Sequence, residues 1–258
     1  MPQSLFLQTA IQAARAGEAI IRRYYQNAID VQLKADQTPV TVADVETEQA
    51  IKQVLQQAFP EHGFYGEETG KSRPDAEYIW LVDPIDGTKS FVRRYPFFST
   101  QIALMRGDDF VLGVSNAPLF NELAYAELGG GAFLNDQPVQ VSAVDQYNAA
   151  TLSFGNIQSL AGDTRWQALG KLIPQFNRTR GFGDFYHYHL LAAGKIDVVI
   201  ESDVNILDVA ALGVIIQEAG GQVSDLNGKP LTLNTTSVLA SNGRFHAPVL
   251  EALALHNA

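Results

Sequence analysis

The chain has 258 residues, 46% of them hydrophobic and 18% charged, with no cysteine and a formal net charge of −10. It is long enough to bury a large core, and its make-up is that of a globular rather than a disordered protein. Disulfides, thiolate metal sites and thiol catalysis are excluded, and no Lys/Arg cluster exceeds a pair, which argues against a surface for nucleic-acid phosphates.

No apolar run approaches the roughly 20 residues that span a bilayer, so no membrane partner is expected. A reducing cytoplasm suits a chain without cysteine. Residues 1–26 place Leu5, Phe6, Ile11, Ala14, Ile21 and Tyr25 at about helical spacing, and read as a folded amphipathic helix rather than a secretion signal. Residues 30–44, "DVQLKADQTPVTVAD", read as strand and loop. A second helix is expected over about 45–58, with Val45, Ile51, Val54, Leu55 and Ala58 on one side and Pro60 ending it.

"HGFYGEETG" is a short strand running into an acidic turn, and "EYIWLVD" is a buried strand. Residues 98–142 read as consecutive antiparallel strands, turning at Gly107-Asp108-Asp109, Asn116-Ala117-Pro118 and Asn135-Asp136-Gln137. From about residue 150 strands alternate with helices. Strands are expected over 149–156, 195–202 and 237–242, and helices over 163–176, 184–194, 208–221 and 247–256. Two subdomains sharing one core follow, 1–140 and 141–258, with helices layered on two sheets.

Four acidic residues recur where a strand or turn opens into a helix or loop: Glu67 in "YGEETG", Asp83 and Asp86 in "DPIDGT", and Asp208 in "NILDVAA". Asp83 and Asp86 would repel each other unless a cation sat between them. Hard oxygen ligands with no His or Cys beside them suit Mg²⁺, and an acidic protein acting on an anionic substrate needs such cations. Pro84 stiffens the turn so that both aspartates and the Ile85 carbonyl can converge. Gly87 and Thr88 offer backbone N–H groups to a phosphate if a helix starts there. Each feature also has a plain structural reading: a solvated turn for Asp-Pro-x-Asp-Gly, a helix N-cap for Asp208, a capping pair with Thr41 for Asp44. Their combination points to metal chemistry.

"GEE", "WLVDPIDGTKSF" and "LDVAALGVIIQEAGG", in that order, resemble the signatures of the inositol monophosphatase family of Mg²⁺-dependent, lithium-sensitive phosphomonoesterases. The resemblance runs from "LKADQTPVTVAD" to the C-terminal helix. It implies an α/β fold of alternating layers, the αβαβα sandwich of the inositol monophosphatase and fructose-1,6-bisphosphatase type. It also implies two or three Mg²⁺ per site, a small-molecule phosphate ester as substrate, and a homodimer. Glu67, Asp83, the Ile85 carbonyl, Asp86 and Asp208 would hold the metals. Thr88 with Glu67 would orient a water activated by them for in-line attack, and Gly87 and Thr88 would bind phosphate. Asp44 matches the aspartate near a weaker third metal, and Lys34 the family's upstream lysine. No covalent nucleophile is required.

Within that resemblance the chain departs from the inositol-specific pattern. Asp184 stands where Ser or Ala is usual, Ser90 where Asn is common, and Leu207 where Trp is common; "DGTKSF" and "GDFYHY" look more like the histidinol-phosphate phosphatase branch. L-Histidinol phosphate carries an ammonium and an imidazole. Asp184 and Glu201, which by family position meets the substrate beyond the phosphate, are two carboxylates that can face those groups. From position alone Asp184 serves equally as a helix N-cap.

His187 and His189, two apart on a helix, point to different faces and read as packing or surface residues. Tyr186 and Tyr188 read as packing, Lys89 as solvated and His62 as loop. Glu68 diverges from Glu67. The alternatives are an inositol or sugar phosphatase, a 3′-phosphonucleotide phosphatase (disfavoured by the short chain and the lack of basic residues for a second phosphate), and, from another class, a transcription-antitermination partner on the same fold.

Overall fold

The structure is a computed structural model that describes residues 3–26, 31–33 and 39–254; Lys34 lies outside the described residues. Helix α1, Leu5–Tyr25, is capped by Ser4, whose hydroxyl accepts the Leu7 N–H at 3.1 Å. Its buried stripe is Leu7, Ala10, Ala13, Ala14, Gly17 and Ile21, while Leu5, expected on that stripe, is 66% exposed. The small residues are selected because α1 lies against a second helix: a Cβ on Gly17 would come within 3.0 Å of Thr47.

Strands β1, Val31–Leu33, and β2, Pro39–Thr41, form a small antiparallel pair that leads into α2, Val42–Ala58. This helix starts three residues before the expected position, because Thr41 is its N-cap and Asp44 closes a capping box by accepting the Thr41 N–H at 2.8 Å. His62, expected as loop, is stacked between Phe59 and Tyr78 at centroid separations of 4.8 and 5.0 Å.

Next come β3 (Gly63–Gly66), β4 (Gly70–Ser72), β5 (Tyr78–Asp86), the short α3 (Thr88–Val92), β6 (Ser99–Arg106), β7 (Asp109–Ala117), β8 (Glu122–Glu127), β9 (Ala132–Leu134) and β10 (Gln137–Val139). They build an eight-stranded sheet in the order β10-β9-β8-β7-β6-β5-β3-β4. From β5 to β10 every pairing is antiparallel, as expected, and only β3 runs parallel to β5. The β7–β8 turn, expected at Asn116-Ala117-Pro118, instead spans Pro118–Asn121, because Asn116 and Ala117 remain paired with Leu123 and Glu122. Asn135 and Asp136, at φ 49° and 63°, make the tight β9–β10 turn.

The second half holds β11 (Thr151–Gly155), α4 (Ile157–Gly162), α5 (Trp166–Leu172), β12 (Arg178–Arg180), α6 (Asp184–Ala192), β13 (Val198–Ser202), α7 (Ile206–Glu218), β14 (Gln222–Ser224), β15 (Ser237–Ser241) and α8 (His246–Ala254). Helix α4 was not expected; it opens on Asn156 in the left-handed region at φ 50°. The helix expected over 163–176 is only α5, followed by a 3₁₀ turn at Ile173–Gln175 that contains Pro174. The second sheet has the order β12-β11-β13-β15-β14.

Period-two alternation builds the layers. On β5, Trp80 and Val82 pack with α1 and α2, whereas Leu81 packs with α6 and α7. On β13, Val199 faces α6 and α7, whereas Val198 and Ile200 pack with α4, α5 and α8. The result is the αβαβα order, with α7 between the two sheets. Gly113 on β7 permits the close approach of α7, since a Cβ there would stand 2.2 Å from the Ala211 carbonyl oxygen. Gly113→Ala is therefore expected to destabilise the fold by about 2 kcal/mol through overpacking, read as a lower urea midpoint; an unchanged midpoint would show that α7 can retreat freely.

Candidate active site

The turn after β5 solves a problem of parity. Residues three apart on a regular strand point to opposite faces. Here Asp83 pairs with Gln101 and Asp86 with Ser99, so β5 advances three residues while β6 advances two. The extra residue is a β-bulge at Pro84-Ile85, where proline's missing N–H leaves no ladder bond unmade, and it brings both aspartates to one side. The Ile85 N–H donates to Asp83 Oδ1 at 2.9 Å and the Thr100 hydroxyl to the Pro84 carbonyl at 2.8 Å. The Ile85 side chain is buried among Ile21, Ala43, Phe91 and Phe98. Gly87 follows at φ 89°, with no room for a Cβ because the Phe97 carbonyl oxygen would lie 2.7 Å away, and α3 starts at Thr88.

Asp83, Asp86 and Asp208 each present a carboxylate oxygen within 4.8 Å of the others. Asp208 is not the N-cap of α7. Asn205 is, and Asp208 closes its capping box by accepting the Asn205 N–H at 2.8 Å. Asp44 holds the same position on α2. The trio lies in a cavity of about 710 Å³ that is also lined by Glu67, Ile85, Gly87 and Thr88. Thus the residues singled out around "DPIDGT", together with Glu67 and the distant Asp208, share one cavity. Asp44 is fully buried behind them, where its Oδ1 accepts from the Thr88 hydroxyl at 3.2 Å; that hydroxyl also lies 3.0 Å from the Ile85 carbonyl.

Crowding of acids raises their proton affinity. Burial pushes the Asp83 carboxyl well above the usual range, with Glu67, Asp86 and Asp208 adding to it. Burial does the same to Asp86, aided by Asp208, Asp184 and Glu201, and raises Asp208 to about 7. A carboxylate cluster of this kind holds its charge when a cation is bound.

Glu48, which the sequence does not single out, lies one turn beyond Asp44 on α2. Its two carboxylate oxygens accept the Glu68 and Thr69 N–H groups at 2.8 Å each, and a Cβ on Gly66 would fall 2.4 Å from its Cδ. It ties the Glu67 turn to the helix that carries Asp44.

Asp184, Tyr188 and Glu201 line the same cavity. Gly183, not Asp184, precedes α6; Asp184 is its first residue, at φ 46°, with its carboxyl pushed up to about 6 by burial and then by Glu201. Tyr188 is more than packing. Its hydroxyl donates to Glu201 Oε2 at 2.8 Å, and its spacing of four from Asp184 is the sequence signal that places both on one face of α6. Tyr186 packs against Phe120 at 4.7 Å. His187 and His189 do point apart, both buried: His187 meets Ser153 and Glu201, and His189 meets Ser115 and Glu122 at 2.9 Å each. Lys89 is exposed at the cavity wall. Asn156 and Asp203 are cavity residues the sequence reading passed over; Asn156 Nδ2 donates to the carbonyls of Ser202 and Asp203 at 2.8 and 3.2 Å.

The profile of the inositol monophosphatase family matches residues 3–257. A histidinol-phosphatase of Chlorobaculum parvum is 34% identical over 248 residues, covering 96% of each chain. An inositol-1-monophosphatase of Caulobacter vibrioides is also 34% identical, over 253 residues and 94% of this chain and 98% of its own. The crystal structure of the extragenic suppressor protein suhB from Bartonella henselae superposes with a TM-score of 0.90 at 30% identity, covering 98% of this chain and 99% of that one. Relatives carrying two different substrate names are equally similar. The reaction class is common to them, and the substrate must be argued from the site.

Proposed function

This chain belongs to the inositol monophosphatase family and is a phosphoric monoester hydrolase; we propose that it hydrolyses L-histidinol phosphate to L-histidinol and phosphate, with Mg²⁺. The observation that carries the substrate reading is a second pair of carboxylates, Asp184 and Glu201, on the wall of the cavity that holds the Asp83, Asp86 and Asp208 cluster. Buried carboxylates are costly without counter-charges. A neutral polyol offers none, whereas the ammonium and imidazole of histidinol phosphate supply them through charge-assisted hydrogen bonds. Histidinol-phosphatases among the relatives support the same reading.

Mg²⁺ fits the donors present, which are carboxylate oxygens within 4.8 Å of one another and no nitrogen or sulfur. Asp83, Asp86, Asp208, Glu67 and the Ile85 carbonyl are the proposed ligands, for two or three ions. Bound there, Mg²⁺ would supply positive charge to the phosphoryl oxygens and the leaving oxygen and acidify water. The protein's own part is positioning. The first N–H groups of α3, from Gly87 and Thr88, take phosphate oxygens. The Thr88 hydroxyl, its proton directed to Asp44 or the Ile85 carbonyl, turns lone pairs to the attacking water, and Glu67 is its second anchor. Asp44 thus acts through Thr88. Water oxygen bonds to phosphorus, the phosphorus–oxygen ester bond breaks, and histidinol leaves with a proton.

Phosphate release measured with Mg²⁺ on L-histidinol phosphate, inositol 1-phosphate and a 3′,5′-nucleotide bisphosphate tests the reading. A kcat/KM at least about tenfold higher for L-histidinol phosphate is expected; parity with inositol 1-phosphate would overturn the substrate assignment. Glu48→Ala frees the turn that carries Glu67 and is expected to raise the Mg²⁺ concentration for half-maximal rate by about tenfold, as loss of a partner behind a metal ligand does. A magnesium titration unaltered by that change would remove Glu48 from the site's support.

A further inference from the structure

We propose that His187, which lines neither the catalytic cavity nor the smaller one beside it, is a positioning residue for substrate selection that ties the Glu201 carboxylate to the backbone of the turn carrying Asp184 through one hydrogen-bond chain. The inference rests on the selectivity reading of Asp184 and Glu201 given above and extends it to how they are held.

A carboxylate only accepts hydrogen bonds, so the contact of 3.1 Å between His187 Nε2 and Glu201 Oε2 requires the proton on Nε2. In the neutral ring Nδ1 is then an acceptor, and it takes the Ser153 hydroxyl at 3.3 Å. Ser153 Oγ in turn accepts the Phe182 N–H at 3.3 Å. Phe182 stands two residues before Asp184, in the turn whose Gly183 has φ 70° and whose Asp184 has φ 46°. With a neutral ring and an ionised Glu201, every hydrogen bond in the chain is donated in one direction, from the backbone of the Asp184 turn to the Glu201 carboxylate.

His187 and Ser153 are both fully buried. A ring that only filled the core could be any apolar side chain, and a buried donor without a partner would cost stability. Here each nitrogen has a partner of the complementary kind. Glu201 Oε2 is held twice, by His187 and by the Tyr188 hydroxyl, while Oε1 lies against Gly155, where a Cβ would come within 1.8 Å of it. The carboxylate is fixed on one oxygen and clamped by β11, so its orientation toward a cationic ligand is set by His187 together with Tyr188 rather than by the ligand.

The test uses the full chain with Mg²⁺ and two esters, L-histidinol phosphate and glycerol 2-phosphate. His187→Leu removes the donor and His187→Gln returns an N–H near the Nε2 position. KM for L-histidinol phosphate is expected to rise about tenfold in His187→Leu, the scale of one lost hydrogen bond to a charged group, with kcat little changed and glycerol 2-phosphate kinetics within about twofold. His187→Gln is expected to restore KM to within about threefold of the parent. Should the leucine variant fail to fold, Ser153→Ala, which breaks the chain one link earlier, is expected to raise the same KM about threefold.

Equal losses on both esters in His187→Leu, no rescue by glutamine, or an unmoved KM in Ser153→Ala would overturn the proposal. Glu201→Gln run in parallel separates the two levels. If it raises KM for the amino ester while the His187 and Ser153 variants do not, the relay is wrong and the selectivity reading stands; if Glu201→Gln is itself without effect on that KM, both fall.

Discussion

Asp86→Asn is expected to lower kcat by about a thousandfold while raising the thermal stability of the metal-free protein. The substitution keeps the size of the side chain and an oxygen for the Ser99 hydroxyl, which approaches Asp86 Oδ2 at 3.4 Å, so the bulge and its register should persist. What it removes is one negative charge from a trio whose oxygens lie within 4.8 Å of each other. The loss in rate follows from the weaker hold on the cations that stabilise charge in the transition state, which is worth up to about a thousandfold for a single well-placed electrostatic contact. The gain in stability follows from the opposite side of the same arrangement. Burial, with Asp208, Asp184 and Glu201, raises the Asp86 carboxyl well above the usual range. A carboxyl whose folded-state pKa is raised is destabilising when ionised, and that cost is present at neutral pH and fades as pH falls. In EDTA the variant should melt above the parent, by roughly 2–4 °C for each kcal/mol relieved. Added Mg²⁺ should raise the parent's Tm more than the variant's. Turnover that survives with an unchanged Mg²⁺ response would exclude Asp86 as a ligand.

That result would also show why "DPIDGT" is legible in sequence. Two aspartates around a proline carry their chemistry locally, and the glycine that follows marks the backbone conformation the next residue needs to start a helix. Yet the spacing alone puts them on opposite faces of a strand. It is the register slip against Ser99 and Gln101 that unites them, and pairing partners are not written in the residues of one strand. Glu67 and Asp208 lie apart from that turn along the chain; their setting, where a strand or turn opens into a helix or loop, marks them as candidates, but only topology joins them to the turn. Capping boxes are half legible: Thr41 and Asp44 read as a pair, whereas Asn205, three residues before Asp208, closes a box that Asp208 alone does not suggest. Glu48 left no trace because its partners are backbone N–H groups of the 68–69 turn, which any residue could provide. The divergence of His187 and His189 follows from 100° of rotation per residue, but what each face meets depends on which sheet lies there. Alternation on β5 and β13 gave the layers for the same reason that it gave the strands.

Asp184→Asn is expected to lower kcat/KM for L-histidinol phosphate by about 30-fold, within the range for a lost hydrogen bond between charged groups, and to change the value for glycerol 2-phosphate by less than about threefold. Asparagine is the informative replacement because Asp184 sits at φ 46°. Asparagine tolerates the left-handed region, whereas alanine would add backbone strain and confuse a lost charge with a displaced α6. The pH dependence adds a second reading of the same group. Burial and Glu201 push the Asp184 carboxyl up to about 6, so the free enzyme loses this negative charge as pH falls through that value, and nearby bound cations move the step lower. Because kcat/KM reports the free enzyme, the ratio of parent to variant on L-histidinol phosphate should be full at pH 8 and shrink as pH drops through about 6 and below, while ionisation of the substrate itself cancels in the ratio. Equal losses on both esters, with a ratio indifferent to pH, would leave Asp184 as nothing more than the first residue of a helix.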